Sequence, residues 1–268
     1  MERDGQGKGS MAGWLRAFLL LSGAVAQAAF AFYPELFGIE ESIGGRSDAS
    51  RTFLIPAGFA FVIWGPLFLG SLAFALYAFT PAAMRDPLTA RVGWLAALSY
   101  WGNAAWALYT PARGPDWISF ALLELILLPL LIAIILVRRE GPISFWRGLS
   151  FAPVFGLGGW LTIASAAGVS LSANFTGFNP MGLGALPSAF LVLGGWTLLA
   201  APLVWIARSL TYAGPIVWGL FFIHVANLGR GEAMIAQAAL ALAGAFVLLT
   251  IASKATGLTA SRRASAPE

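Results

Sequence analysis

The stretch IPAGFAFVIWGPLFLGSLAFALYAF, residues 55–79, carries no ionisable side chain and is long enough to cross a membrane. A hydrocarbon core of about 30 Å takes about 20 apolar residues in helical form. The stretch also holds five phenylalanines, a tryptophan, a tyrosine, three glycines and two prolines, more than a lipid anchor needs. Pro66 removes a backbone donor, so a kink is expected near Val62. At 100° per residue, Phe61, Trp64, Phe68 and Ala75 share one face.

Outward from this segment, comparable runs recur. Eight are read: Met11–Tyr33, Ile55–Phe79, Val92–Thr110, Asp116–Val137, Ser150–Leu171, Leu186–Ala207, Thr211–Leu228 and Ala233–Ser253. The 268 residues are 59% hydrophobic and 10% charged, with mean hydropathy +0.79. That balance belongs to an all-α integral membrane protein, because spanning barrels show alternating strands of about ten residues. The polar ends, 1–10 and 255–268, read as disordered tails.

With the N-terminus cytoplasmic, twelve Lys and Arg fall on the inside and four on the outside. This asymmetry places both termini in the cytoplasm of a multi-pass protein of the cell (inner) membrane. The net charge of +4 is scattered between apolar runs instead of forming a patch, which argues against a nucleic-acid partner. Cysteine-based metal and redox chemistry is excluded, since the chain has no cysteine. FLLLSGAVAQA, from Phe18, resembles the apolar region of a signal peptide, but the apolar run continues to Tyr33 and favours a retained span. NFT at 174–176 matches a glycosylation sequon.

Ionisable residues inside spans are functional candidates. Glu124 lies about two turns inside the fourth span, and His224 near the end of the seventh, with Asn227 one turn on. The reading favoured for both is structural: a carboxyl pinning one helix to another, and a histidine bonded to a neighbouring carbonyl. GLGGW at 156–160 lies in an apolar helix, where close packing through small residues explains it better than a phosphate loop.

The aromatic residues are the positive signal, with 11 Trp, 20 Phe and 5 Tyr. In the third span Ser99, Asn103, Trp106 and Thr110 share a face, opposite Trp94 and Trp101. In the fifth, Pro153, Gly156, Trp160, Ala164, Ala167 and Leu171 form a stripe of one large ring among small residues. Such a stripe either admits a close helix or leaves a hollow.

These residues resemble the TspO/MBR family, the tryptophan-rich sensory proteins related to the translocator protein. Pro56, Phe59, Phe61 and Trp64 stand at the spacings of that family's second helix, although Phe59 and Phe68 replace its usual tryptophan and tyrosine. Asn103 and Trp106 match an Asn-x-x-Trp in the third helix, and Pro153, Trp160 and Ala164 match the fifth, where Gly168 replaces a common asparagine. The resemblance spans about residues 11–172 and implies a TspO-like five-helix bundle; the three additional transmembrane helices read over 180–254 exceed that core. The resemblance also implies a membrane-embedded binding or sensor protein for a flat hydrophobic ligand, a porphyrin or haem tetrapyrrole or a sterol-like molecule. Trp64, Asn103 and Trp160 would contact that ligand, with Phe61, Phe68 and Trp106 as secondary lining.

No cofactor is required on this reading, and the expected partners are the lipid bilayer and the ligand; small-residue stripes such as Gly156–Ala164 permit contacts with a second copy in a homodimer without demanding them. A binding protein is expected instead of an enzyme. A membrane enzyme acting on a porphyrin or lipid, and a transporter of the bound molecule, are the alternatives.

Overall fold

The computed structural model describes residues 10–36, 52–141 and 143–264, and every regular element among them is helical. The long helices are α1 (Met11–Leu36), α2 (Trp64–Tyr77), α4 (Pro87–Arg113), α5 (Trp117–Arg139), α7 (Ala152–Thr176), α8 (Ala185–Ala207), α9 (Leu210–Gly229) and α10 (Ala233–Ala264). Two short helices, α3 (Pro81–Arg85) and α6 (Phe145–Ser150), lie between them. At the starts of α4 and α5 side-chain oxygens satisfy free backbone donors. Asp86 accepts from Leu88 N at 3.2 Å to cap α4, and Asp116 accepts from Ser119 N at 2.8 Å to cap α5.

Seven of the described helical segments, α2 counted together with the 3-10 turn Gly58–Ile63 before it, are long and apolar enough to span a bilayer. The eighth expected span, Val92–Thr110, lies in α4, which is equally long but less apolar. Its polar groups are spent on neighbours: Ser99 Oγ donates to Ile126 O at 2.9 Å, and Asn103 Nδ2 to Gln27 Oε1 at 2.9 Å. Its outer face is apolar, with Trp94, Leu98, Trp101 and Leu108 exposed. Mean hydropathy averages the two faces, whereas lipid meets only one. α4 also runs beside both spanning neighbours over their depth. Gly93 meets Arg16 and Asn103 meets Gln27 on parallel α1, while Ser99 meets Ile126 and Thr110 meets Ser119 on antiparallel α5.

Helices α1, α2, α4, α5 and α7 close a five-helix ring, and α8, α9 and α10 form a second group built on α7. As the shared spine, α7 is the most enclosed of the candidate spans. This explains the glycines of its first half, which serve three different neighbours. A Cβ on Gly156 would meet Leu67 of α2, one on Gly158 would meet Ile134 of α5, and one on Gly159 would overlap the Tyr212 carbonyl of α9. Small residues let helix backbones approach closely in lipid, as the GLGGW reading expects. The Gly156–Ala164 stripe, which the sequence allowed for dimer contacts, faces α2 and the bundle interior within the chain.

Two further expectations change. Pro66 does not kink a continuous helix. Gly58–Ile63 forms a 3-10 turn and the α-helix begins at Trp64, which leaves Pro66 in the first turn, where its missing N–H costs least. The C-terminal tail expected to be disordered from 255 is helical through Ala264. Alanine, leucine and arginine are good helix formers, and the segment reaches Ala264 without a proline. The N-terminal tail lies outside the described residues apart from Ser10.

On the side of the bundle where the described chain starts and ends, Arg147 holds Asp86 at 2.7 Å and lies 3.7 Å from Glu140. Burial alone would raise the Asp86 carboxyl, but hydrogen bonds from Arg147, Thr89 and Leu88 N keep it below the usual carboxylate range. Helix directions put the start of α1 and the end of α10 on this same basic side. A reporter active only in the cytoplasm is therefore expected to signal when fused to either terminus. A signal from only one end would overturn this alternation.

Candidate functional site

A cavity of about 750 Å³ opens within the five-helix ring. Its closed end is built by three rings, Phe61 on the 3-10 turn, Trp64 on α2 and Trp160 on α7. Trp160 of α7 stands edge-on to Phe61 at 5.9 Å and 87°, and edge-on to Trp64 at 6.1 Å and 83°. Edge-to-face pairs of this kind add about 0.5–1.5 kcal/mol beyond area burial. The 3-10 turn matters here. Residues three apart eclipse in that geometry, so Phe61 and Trp64 point the same way although the α-helix starts only at Trp64.

Ile126 and Leu161 complete an apolar floor, and Asn103 and Trp106 of α4 form a side wall. The upper half of the α7 stripe, Ala164, Ala167 and Leu171, faces the cavity. Its lower half packs on α2, with Pro153 against Gly70 and Gly156 against Leu67. The small-residue stripe thus does both things the sequence allowed: it admits a helix at one end and leaves a hollow at the other.

Of the six residues expected at the ligand, Phe61, Trp64, Asn103, Trp106 and Trp160 line this cavity. Phe68 does not. Its ring stacks behind Trp64 at 5.2 Å and 22°, and meets Phe32 of α1 edge-on at 6.3 Å. Being one α-turn beyond Trp64, it supports that ring from the protein side. Trp101, on the far face of α4, is 43% exposed and donates to Leu19 O at 3.2 Å. Phe59, at a family-like position in the second helix, points away from the cavity toward Trp218 and Phe222 of α9, at 6.4 and 5.7 Å.

The cavity's polar groups lie at its rim and on one wall. Thr110 and Ser119 hydroxyls meet at 2.7 Å, and Ser172 Oγ donates to Asp116 O at 2.9 Å, tying α4, α5 and α7 together. The turn Arg113–Gly114–Pro115 lies beside Phe175 at the same end. Gly114 has φ +90°, and a side chain there would also run into the Phe175 ring, so glycine is required twice over. On the wall, Asn103 Nδ2 is committed to Gln27 of α1, a fully buried residue whose Nε2 has no acceptor among the described residues. Trp64 Nε1 is enclosed and likewise without a partner among them.

Gln27 escapes a sequence reading that weighs only ionisable residues as intramembrane candidates. An amide inside a run of Ala, Val and Phe is the signal that could have found it. Ile55 escapes as a wall residue because its contact depends on how the segment before α2 folds back. Glu124 and His224 do not line the cavity. His224 Nδ1 lies 3.0 Å from Ala236 O across the α9–α10 pair, and the half-buried Glu124 faces Ser165 of α7.

Fold and site together define a polytopic helical membrane protein with an aromatic-ended cavity inside a five-helix ring. A family model described as TSPO-like protein matches residues 17–252, and the chain belongs to that family. The match continues through α8, α9 and most of α10, so these helices lie within the family's own span and not outside it. No curated protein and no solved structure matches the chain.

Proposed function

We propose that the protein binds a flat, hydrophobic small molecule in this cavity, a tetrapyrrole or a sterol-like compound, and acts as a receptor or sensor of the TspO type in the cell membrane. The observation that carries the reading is the closed end, where Phe61 and Trp64 each meet Trp160 at nearly right angles around one hollow. A planar ligand can stack on one ring while its edge meets another. The volume falls in the range of small-molecule pockets, with a mainly apolar lining and few polar groups. The enclosed Trp64 N–H and the Asn103 amide, held in place by Gln27 behind it, are the groups that would orient the ligand.

Binding without turnover fits the positions of the two ionisable span residues. Glu124 and His224 sit against different helices and outside the lining, so they do not converge on a reacting centre. The test is a titration of the purified, nanodisc-embedded protein with protoporphyrin, haem and cholesterol, read by tryptophan quenching and by competition. Saturable binding of at least one of them, displaced by a second flat ligand, is the expected result. Non-saturable partitioning by all three would sink the proposal.

A further inference from the structure

The segment that walls the cavity before α2 is held from outside the five-helix ring. Ile55, Pro56 and Phe61 line the cavity, and the backbone that carries them is bonded to α9 at successive points. Ala57 N donates to Phe222 O at 3.1 Å, and Trp218 Nε1 donates to Ala60 O at 2.9 Å. Asn227 Nδ2 donates to Phe53 O at 2.8 Å, and Arg230 Nη1 to Thr52 O at 2.9 Å just beyond the helix. Phe59 adds ring contacts to Trp218 and Phe222, which lie 4.7 Å from each other.

This arrangement answers a specific need. Residues 52–57 are irregular and 58–63 form a 3-10 turn, so their backbone groups lack the full ladder of an α-helix. In a membrane, unmet backbone groups are tolerated only where protein supplies partners. α9 supplies them, and it is itself anchored. Gly159 and Gly219 let it press against α7, and Tyr212 OH lies 2.8 Å from Thr162 Oγ1. α7 also carries Trp160, so one rigid pair of helices holds both the floor ring and the strap that sets Phe61 against it.

We infer that Trp218 and Asn227 are positioning residues for the ligand cavity: α9 serves to hold the strap 52–63 so that Phe61 stays against Trp160. This rests on the cavity being the ligand site, and the experiment separates the two claims. Because the chain has no cysteine, Ala57→Cys provides a unique reporter on the strap. In that background Trp218→Phe keeps a ring and loses the donor, and Asn227→Leu keeps the approximate volume and loses the amide.

Maleimide labelling of residue 57 without ligand is expected to speed up at least tenfold in the double variant. Trp196→Phe removes a comparable indole bond, to Thr162 O at 2.6 Å, away from the strap, and is expected to leave the labelling rate unchanged. With protoporphyrin bound, the double variant should release it at least fivefold faster, while the association rate changes less than twofold. Unchanged labelling, or an equal rise with Trp196→Phe, would overturn the strap. Faster labelling with unchanged release would overturn the positioning role. Failure of the parent protein to bind protoporphyrin or any competing flat ligand would instead strike the ligand reading, leaving the labelling result to decide the strap alone.

Discussion

Replacing Gly159 by alanine is expected to be among the most damaging single-methyl additions in the protein. Its Cβ would overlap the Tyr212 carbonyl and lie 2.9 Å from the carbonyl carbon, and both are backbone atoms that cannot rotate away. α7 and α9 would have to separate, which loosens Thr162 from Tyr212 and the Gly219–Ile163 contact one turn on. Overpacking in a well-filled core costs about 1–3 kcal/mol, and a backbone clash belongs at the upper end of that range. Gly194→Ala provides the contrast, because nothing lies within 4 Å of the place its Cβ would take. In mid-helix it should be neutral or stabilising by about 0.5–1 kcal/mol. Reversible unfolding in mixed micelles, followed by loss of helical circular dichroism, measures both. Equal midpoints for the two variants would show that α7 and α9 are not packed backbone to backbone.

Trp160→Ala should have the largest effect on ligand binding. The ring is 2% exposed and faces both other rings of the closed end, so its loss removes a stacking surface and leaves Phe61 and Trp64 without their edge partner. Affinity for a porphyrin-type ligand is expected to fall at least tenfold, about 1.4 kcal/mol. Trp64→Ala should act similarly. Asn103→Ala should weaken binding less, because a hydrogen bond inside a membrane bundle averages about 0.6 kcal/mol. It should also lower stability by leaving Gln27 without its partner. Trp101→Phe, on the exposed face of α4, should leave binding unchanged. If Trp101→Phe abolished binding and Trp160→Ala did not, the cavity would be the wrong place for the ligand.

Both substitutions fall on one helix. α7 carries glycine where a neighbour's backbone must approach, and tryptophan at the very next position, where a hollow must be bounded. This placement lets one helix serve both as the spine of the fold and as the floor of the site.

Hydropathy and basic-residue counts suffice to read an all-helical, multi-pass membrane protein, because lipid imposes length and apolarity on every span whatever its neighbours are. They also place Asn103, Trp106 and Trp160 on sensible helix faces, since these lie in uninterrupted α-helices where 100° per residue holds. At the second span that rule is not enough. Trp64 and Phe68 share a face of one α-helix as the period requires, but Phe68 lies a turn deeper and stacks behind Trp64, while the 3-10 turn Gly58–Ile63 aligns Phe61 with Trp64. The strap's attachment to α9 also lies beyond periodicity, because it joins residues more than 150 positions apart through backbone carbonyls that any sequence possesses. Composition and period thus determined the character and approximate placement of the long helices. Only tertiary packing decided which small residues meet a helix and which border a cavity, because that depends on how neighbours close around each face.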